Sequence, residues 1–162
     1  MLKRSLLCLA AFAAILPFLA LTATTATAYI QGGPWTSGAL KKSIADLGYE
    51  SKNISDDADA PKYEFMITRG GLDIYVSAEI SGSKSYIWLT VNLGSAPGSA
   101  SSKNNDLLKQ NAKIQPSQFY VSDSGKLMMG LPIDNRGLTN TIFRSRVDMI
   151  VDSVVSTKEY WQ

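Results

Sequence analysis

Ser81 and Lys84 stand three residues apart, the S-x-x-K spacing in which a lysine assists a serine nucleophile. That chemistry needs the serine at a helix start, and Ser81 to Ser85 reads instead as a hairpin turn. Glu64, Asp73 and Glu79 are carboxylates of the kind that glycoside hydrolysis uses in pairs. They fall on strand positions, and nothing in their spacing gathers them around a cleft. Asp56, Asp57 and Asp59 offer clustered oxygens to a hard cation. They lack the glycine and distal glutamate of a calcium loop and read as solvated loop. Asn53-Ile54-Ser55 matches a glycosylation sequon. The chain has no histidine, and its one cysteine is Cys8. Histidine-based triads and thiol mechanisms are thereby excluded, since a nucleophile needs an adjacent base. There is no glycine-rich phosphate loop and no dinucleotide fingerprint. The inventory assigns no catalytic residue, no cofactor and no metal ligand.

The amino terminus reads as a secretory signal. Lys3 and Arg4 precede an apolar stretch from Leu6 to Leu21, and Ala26-Thr27-Ala28 supplies small residues for cleavage after Ala28. Pro17 and the length of the stretch argue against a rigid span; the rival is a retained anchor. Residues 1–28 are thus the expected signal peptide, and the mature chain is expected in the periplasm or outside the cell. Cys8 leaves with the signal, so no disulfide can staple the fold. The net charge of +2 leaves with it too, because Lys3 and Arg4 account for it. A neutral chain without a basic cluster is not built for nucleic acid. No second stretch is long enough to cross a bilayer, so no membrane is expected after signal removal.

What remains must position any functional group. Residues 29–35 form a lead-in rich in Gly and Pro, read as flexible, and residues 36–162 a single domain. Thr36 or Ser37 caps a first helix with Leu40, Ile44 and Leu47 on one side, stopped at Gly48. A short edge strand fits near Tyr49 to Ile54. Tyr63 to Arg69, Leu72 to Ile80 and Tyr86 to Leu93 alternate apolar and polar residues and form an antiparallel meander. Tyr75, Tyr86 and Trp88 all fall on the wetter face of those strands. They mark either a partner-contact surface or ordinary cross-strand packing, and both readings stand. Gly94 to Ser102 is a flexible loop. A helix over Lys103 to Ala112 is followed by strands at Gln118 to Val121 and Lys126 to Leu131, turned by Ser122 to Gly125. Met128 and Met129 read as gap-filling core, and Pro132 as the end of the last strand. Thr139 caps a final helix to about Ser156, with Phe143, Val147, Ile150 and Val154 inward and Arg144 paired to Asp148. Trp161 is expected to tuck against a neighbour.

Leu107-Leu108 with Asn111, the segment Ile114 to Phe119, the hairpin, Leu131 to Asn135, and Leu138-Thr139 opening a long helix that ends near a tryptophan together resemble the YbjN-like proteins. These share the fold of the CesT-type chaperones of type III secretion. The resemblance implies an α+β fold: a single twisted antiparallel sheet with helices packed on it, in the order α-β-β-β-α-β-β-α. It also implies homodimers and binding without catalysis. The resulting expectation is an exported, non-enzymatic module for a protein or peptide partner. The alternatives are a small hydrolase using carboxylates or the Ser–Lys pair, and a small-ligand-binding periplasmic protein.

Overall fold

A first helix begins where Thr36 accepts a hydrogen bond from the Ala39 N–H (3.3 Å), satisfying one of the amides that a helix start leaves free. This α1 spans Ser37–Asp46 and buries Leu40 and Ile44 completely. The computed structural model describes residues 33–162. The expected signal peptide and residues 29–32 of the lead-in lie outside the described residues. Trp35, the last residue of the lead-in, packs against Phe143 with ring centroids 5.4 Å apart and the rings tilted by 58°.

Four strands follow: β1 (Ser51–Asn53), β2 (Lys62–Arg69), β3 (Leu72–Ile80) and β4 (Tyr86–Ser95). They form the expected antiparallel meander. The β2–β3 link is the two-residue turn Gly70-Gly71, with φ of 60° and 73°. Those left-handed angles match the twist of a tight hairpin, and glycine adopts them without steric cost. Helix α2 (Lys103–Asn111) leads to β5 (Gln118–Val121) and β6 (Lys126–Asp134). The sheet order is β1-β2-β3-β4-β6-β5, every neighbouring pair antiparallel. The last long strand thus inserts beside β4, and β5 becomes the edge. Helix α3 (Asn140–Ser156) is capped by Thr139, and a short α4 (Lys158–Trp161) ends the chain.

The alternation anticipated from sequence sorts the sheet into two faces. Phe65, Ile74, Val76, Ile87, Leu89, Val91, Met129 and Leu131 lie buried on one side with the inward residues of α1 and α3. Burying a side chain of this size stabilises the fold by roughly 1.5–3 kcal/mol each before entropy is counted. Trp161 tucks in as expected, donating from Nε1 to the Val154 carbonyl at 3.0 Å.

The structure corrects the sequence reading at several points. The element order gains β1, which had been only a candidate edge strand, and α4. Strand β6 runs through Pro132 to Asp134. The Asn135 N–H donates to the Ser85 carbonyl, so alternation turns the nitrogen of Pro132 away from β4, to an edge where no ladder bond is lost. Met129 is core, but its neighbour Met128 points to the opposite face, half-buried. Asp148 pairs with Arg69 and not with Arg144. The Arg69 fork reaches Asp148 and Asp152, both at 2.7 Å, and ties the β2–β3 hairpin to α3. Both carboxylates hold the Arg69 pKa above its ordinary value.

Candidate functional site

Ser81 sits in the turn between β3 and β4. Its hydroxyl accepts from the Tyr86 N–H (3.1 Å) and lies 3.1 Å from the Ser83 hydroxyl. Lys84 holds a left-handed φ of 59° in the same turn, and its carbonyl accepts from the Asn135 side chain. The pair serves turn geometry; no helix start presents the serine. The three strand carboxylates are likewise engaged. Glu64 pairs with Lys52 (2.9 Å), Glu79 with Lys62 (3.1 Å), and Asp73 accepts from the Thr68 hydroxyl (2.7 Å). Asp57 accepts from the Asp59 N–H within its loop (2.9 Å). Among the described residues, no three acidic, cysteine or histidine side chains are grouped to hold a metal ion, and no helix is long and apolar enough to cross a membrane.

Tyr75, Tyr86 and Trp88 share the sheet face opposite the buried core, Tyr86 and Trp88 toward one end of the β3–β4 ladder and Tyr75 toward the other. The β3–β4 register sets Glu79 opposite Trp88 and Ala78 opposite Leu89, so one set of side chains faces the helices and the other faces out. Tyr75 is 52% exposed, Tyr86 46% exposed and Trp88 half-buried. The structure adds Met66, Met128, Tyr120 and Pro132 to this face, with Met66 opposite Tyr75, Tyr120 opposite Met128 and Pro132 opposite Trp88. The ring of Tyr120 lies over Gly130: a Cβ there would meet Tyr120 Cε1 at 3.0 Å. The sequence reading places Met128 in the core; the pairings of β6 with β4 and of β5 with β6 instead carry Met128 and Tyr120 onto the face that bears the aromatics of the meander.

Three ion pairs lie on this face, Lys52 with Glu64, Lys62 with Glu79, and Arg136 with Asp134 at 2.6 Å; Asp73 is held by the Thr68 hydroxyl instead. The Arg136 guanidinium, helped by its backbone N–H, holds the Asp134 carboxyl down at about 2. Burial pushes the Tyr120 hydroxyl above its ordinary pKa, and Glu79 adds to the shift. What the face offers is aromatic and thioether side chains set among ion-paired charges.

The β5 edge of the sheet is partly occupied by a side chain. The Asn111 side chain accepts from the Phe119 N–H (2.7 Å) and donates to the Phe119 carbonyl (3.2 Å). It occupies an outward-facing backbone pair of β5, where another strand would dock.

No family model and no curated protein matches the chain. Solved structures similar to it are of type III secretion chaperones. One is the HopA1–SchA chaperone–effector complex, at 13% identity over 70% of this chain and 84% of that one, with a TM-score of 0.48. Another is the Yersinia pestis type III secretion chaperone SycH in complex with a stable fragment of YscM2, at 14% identity over 74% and 97% of the two chains, TM-score 0.49. A third is the heterodimeric ExoU–SpcU complex from the type III secretion system of Pseudomonas aeruginosa, at 15% identity over 72% and 89%, TM-score 0.48.

Proposed function

We propose that this chain is an exported, non-enzymatic module, a single domain after a cleaved signal, that binds a protein or peptide partner across the open face of its sheet and works as a homodimer. The observation that supports it is the face itself. Tyr75, Tyr86 and Trp88 share it with Met66, Met128 and Tyr120, and several of its charges are held in ion pairs. Large aromatic and thioether side chains exposed on one sheet face favour a macromolecular contact. Aromatic and Met side chains are the types enriched where proteins meet. Non-enzymatic action is favoured because Ser81, Glu64, Asp73 and Glu79 are each tied into turn or ladder contacts. Export and pairing are carried over from the signal-like amino terminus and the family resemblance.

The test is a peptide array or displayed peptide library probed with the mature chain, and with a Tyr75→Ser/Trp88→Ser variant. The variant should lose binding at least tenfold, a change of about 1.4 kcal/mol, while keeping its far-UV spectrum. Equal binding by both proteins would remove the face from the reading. Light scattering of the mature chain should give twice the monomer mass.

A further inference from the structure

Strand β5 covers β6 only from Leu127 to Gly130. From there to Asp134, β6 has no strand on that side, and the gap is a concavity of about 240 Å³. Pro116, Pro132 and Ile142 give it apolar walls, and Arg146 of α3 lines it together with the mutually paired Asp134 and Arg136. The other arginines among the described residues all have oxygen partners. Arg69 holds Asp148 and Asp152, Arg136 holds Asp134, and Arg144 donates to the Leu47 carbonyl. Arg146 is half-buried, and its one polar contact is the Met149 sulfur at 3.6 Å. A guanidinium carries five N–H donors and a charge it cannot shed. Beside these apolar walls, with the neighbouring carboxylates already paired, its solvent-facing N–H donors are open to an anion arriving from outside.

We propose that this concavity binds the carboxylate end of a peptide whose last side chain is apolar. Arg146 takes the carboxylate, two N–H groups to two oxygens, the pairing that the planar fork favours over a point charge. The terminal side chain lies against Pro116 and Ile142. A volume of about 240 Å³ holds one residue, not a drug-sized ligand. The location connects it to the open face, because Pro132 is the cross-strand neighbour of Trp88 and Asp134 of Tyr86. A segment lying over Trp88 therefore runs off the sheet at β6 into this gap. In that respect the inference rests on the proposed peptide-binding reading; the unpaired guanidinium stands apart from it.

The experiment titrates the isotope-labelled mature chain with acetyl-Ala-Ala-Tyr-Ala-Ala-Leu as the free acid, with the same peptide as its carboxamide, and with N-acetylleucine. The free acid should move the amide signals of Gly137, Ile142 and Arg146 and bind at least tenfold more tightly than the amide. Arg146→Gln should abolish that preference at an unchanged melting temperature, and Arg146→Lys should restore part of it. Trp88→Ser should weaken acid and amide alike and leave the preference intact. The inference is overturned by equal binding of acid and amide, by a preference that survives Arg146→Gln, or by no shift up to roughly 10 mM peptide. N-acetylleucine binding as tightly as the peptide would make this a small-acid site and overturn the peptide assignment. A preserved acid preference with no loss of affinity in Trp88→Ser would count against the open face while leaving the Arg146 site standing.

Discussion

Two residues near the end of β6 show how local chemistry holds this fold. Asn135 is fully buried and satisfied by two segments distant in sequence. Its carbonyl accepts from the Trp35 N–H (2.9 Å), and its amide donates to the Trp35 and Lys84 carbonyls (3.1 and 3.0 Å). Truncation strands those backbone groups, so Asn135→Ala should cost roughly 2–4 kcal/mol in urea unfolding. Asn135→Asp should be no milder, because a carboxylate would face two carbonyl oxygens. Asp134 beside it gives a pH prediction. Its carboxyl is held at about 2 in the folded chain, below the unfolded value. The contribution is therefore complete above the ordinary carboxylate range and is lost as pH falls through about 2. A carbon-detected titration should place the midpoint there, and Arg136→Ala should return it to the ordinary range. In sequence, Asn135 looked only like part of a family-like stretch. Its role depends on Trp35 and Lys84, and local pattern carries no information about partners so far along the chain.

Among the elements, the docking of the β2–β3 hairpin on α3 is the least tolerant joint. A Cβ at Gly70 would meet Val155 Cγ1 at 2.6 Å, and the residue sits at a φ of 60°. Gly70→Ala meets both penalties and should destabilise by roughly 2–3 kcal/mol in thermal or urea unfolding. Gly71→Ala has open space around it and suffers only from its φ of 73°, so it should cost clearly less. The Arg69 ion pairs at the same joint are well solvated and should add about 1 kcal/mol or less. Sequence supplied both glycines as a turn, and the turn is where it was expected. That Gly70 must also lack a side chain to admit Val155 is a fact of packing. So is the exchange of Arg144 for Arg69 as the partner of Asp148: helical spacing suggested the local pair, but the hairpin brought a better-placed fork.

At the scale of the whole molecule, the two sheet faces should answer differently to substitution. Phe65→Ala, in the covered core, should cost roughly 3–5 kcal/mol. Tyr75→Ser/Trp88→Ser, on the open face, should cost far less stability and mainly affect binding, as paired melting curves and array measurements would show. An equally large loss of stability would mean that these rings serve cross-strand packing. The sequence by itself determined the α+β class, the strands, their inward and outward sets and the helix caps, because period-two alternation, glycine turns and threonine caps act within a few residues. It also placed Tyr75, Tyr86 and Trp88 on one face, since a strand's pleat fixes that without reference to its neighbours. Only the tertiary structure decided that β6 lies beside β4, that Met128 and Tyr120 join the aromatic face, that Asn111 occupies the Phe119 backbone pair on the β5 edge, and that Arg146 is left without an oxygen partner among the described residues. Each of these depends on which distant segments meet, and that is settled by the joint burial of the whole core, not by any stretch of chain alone.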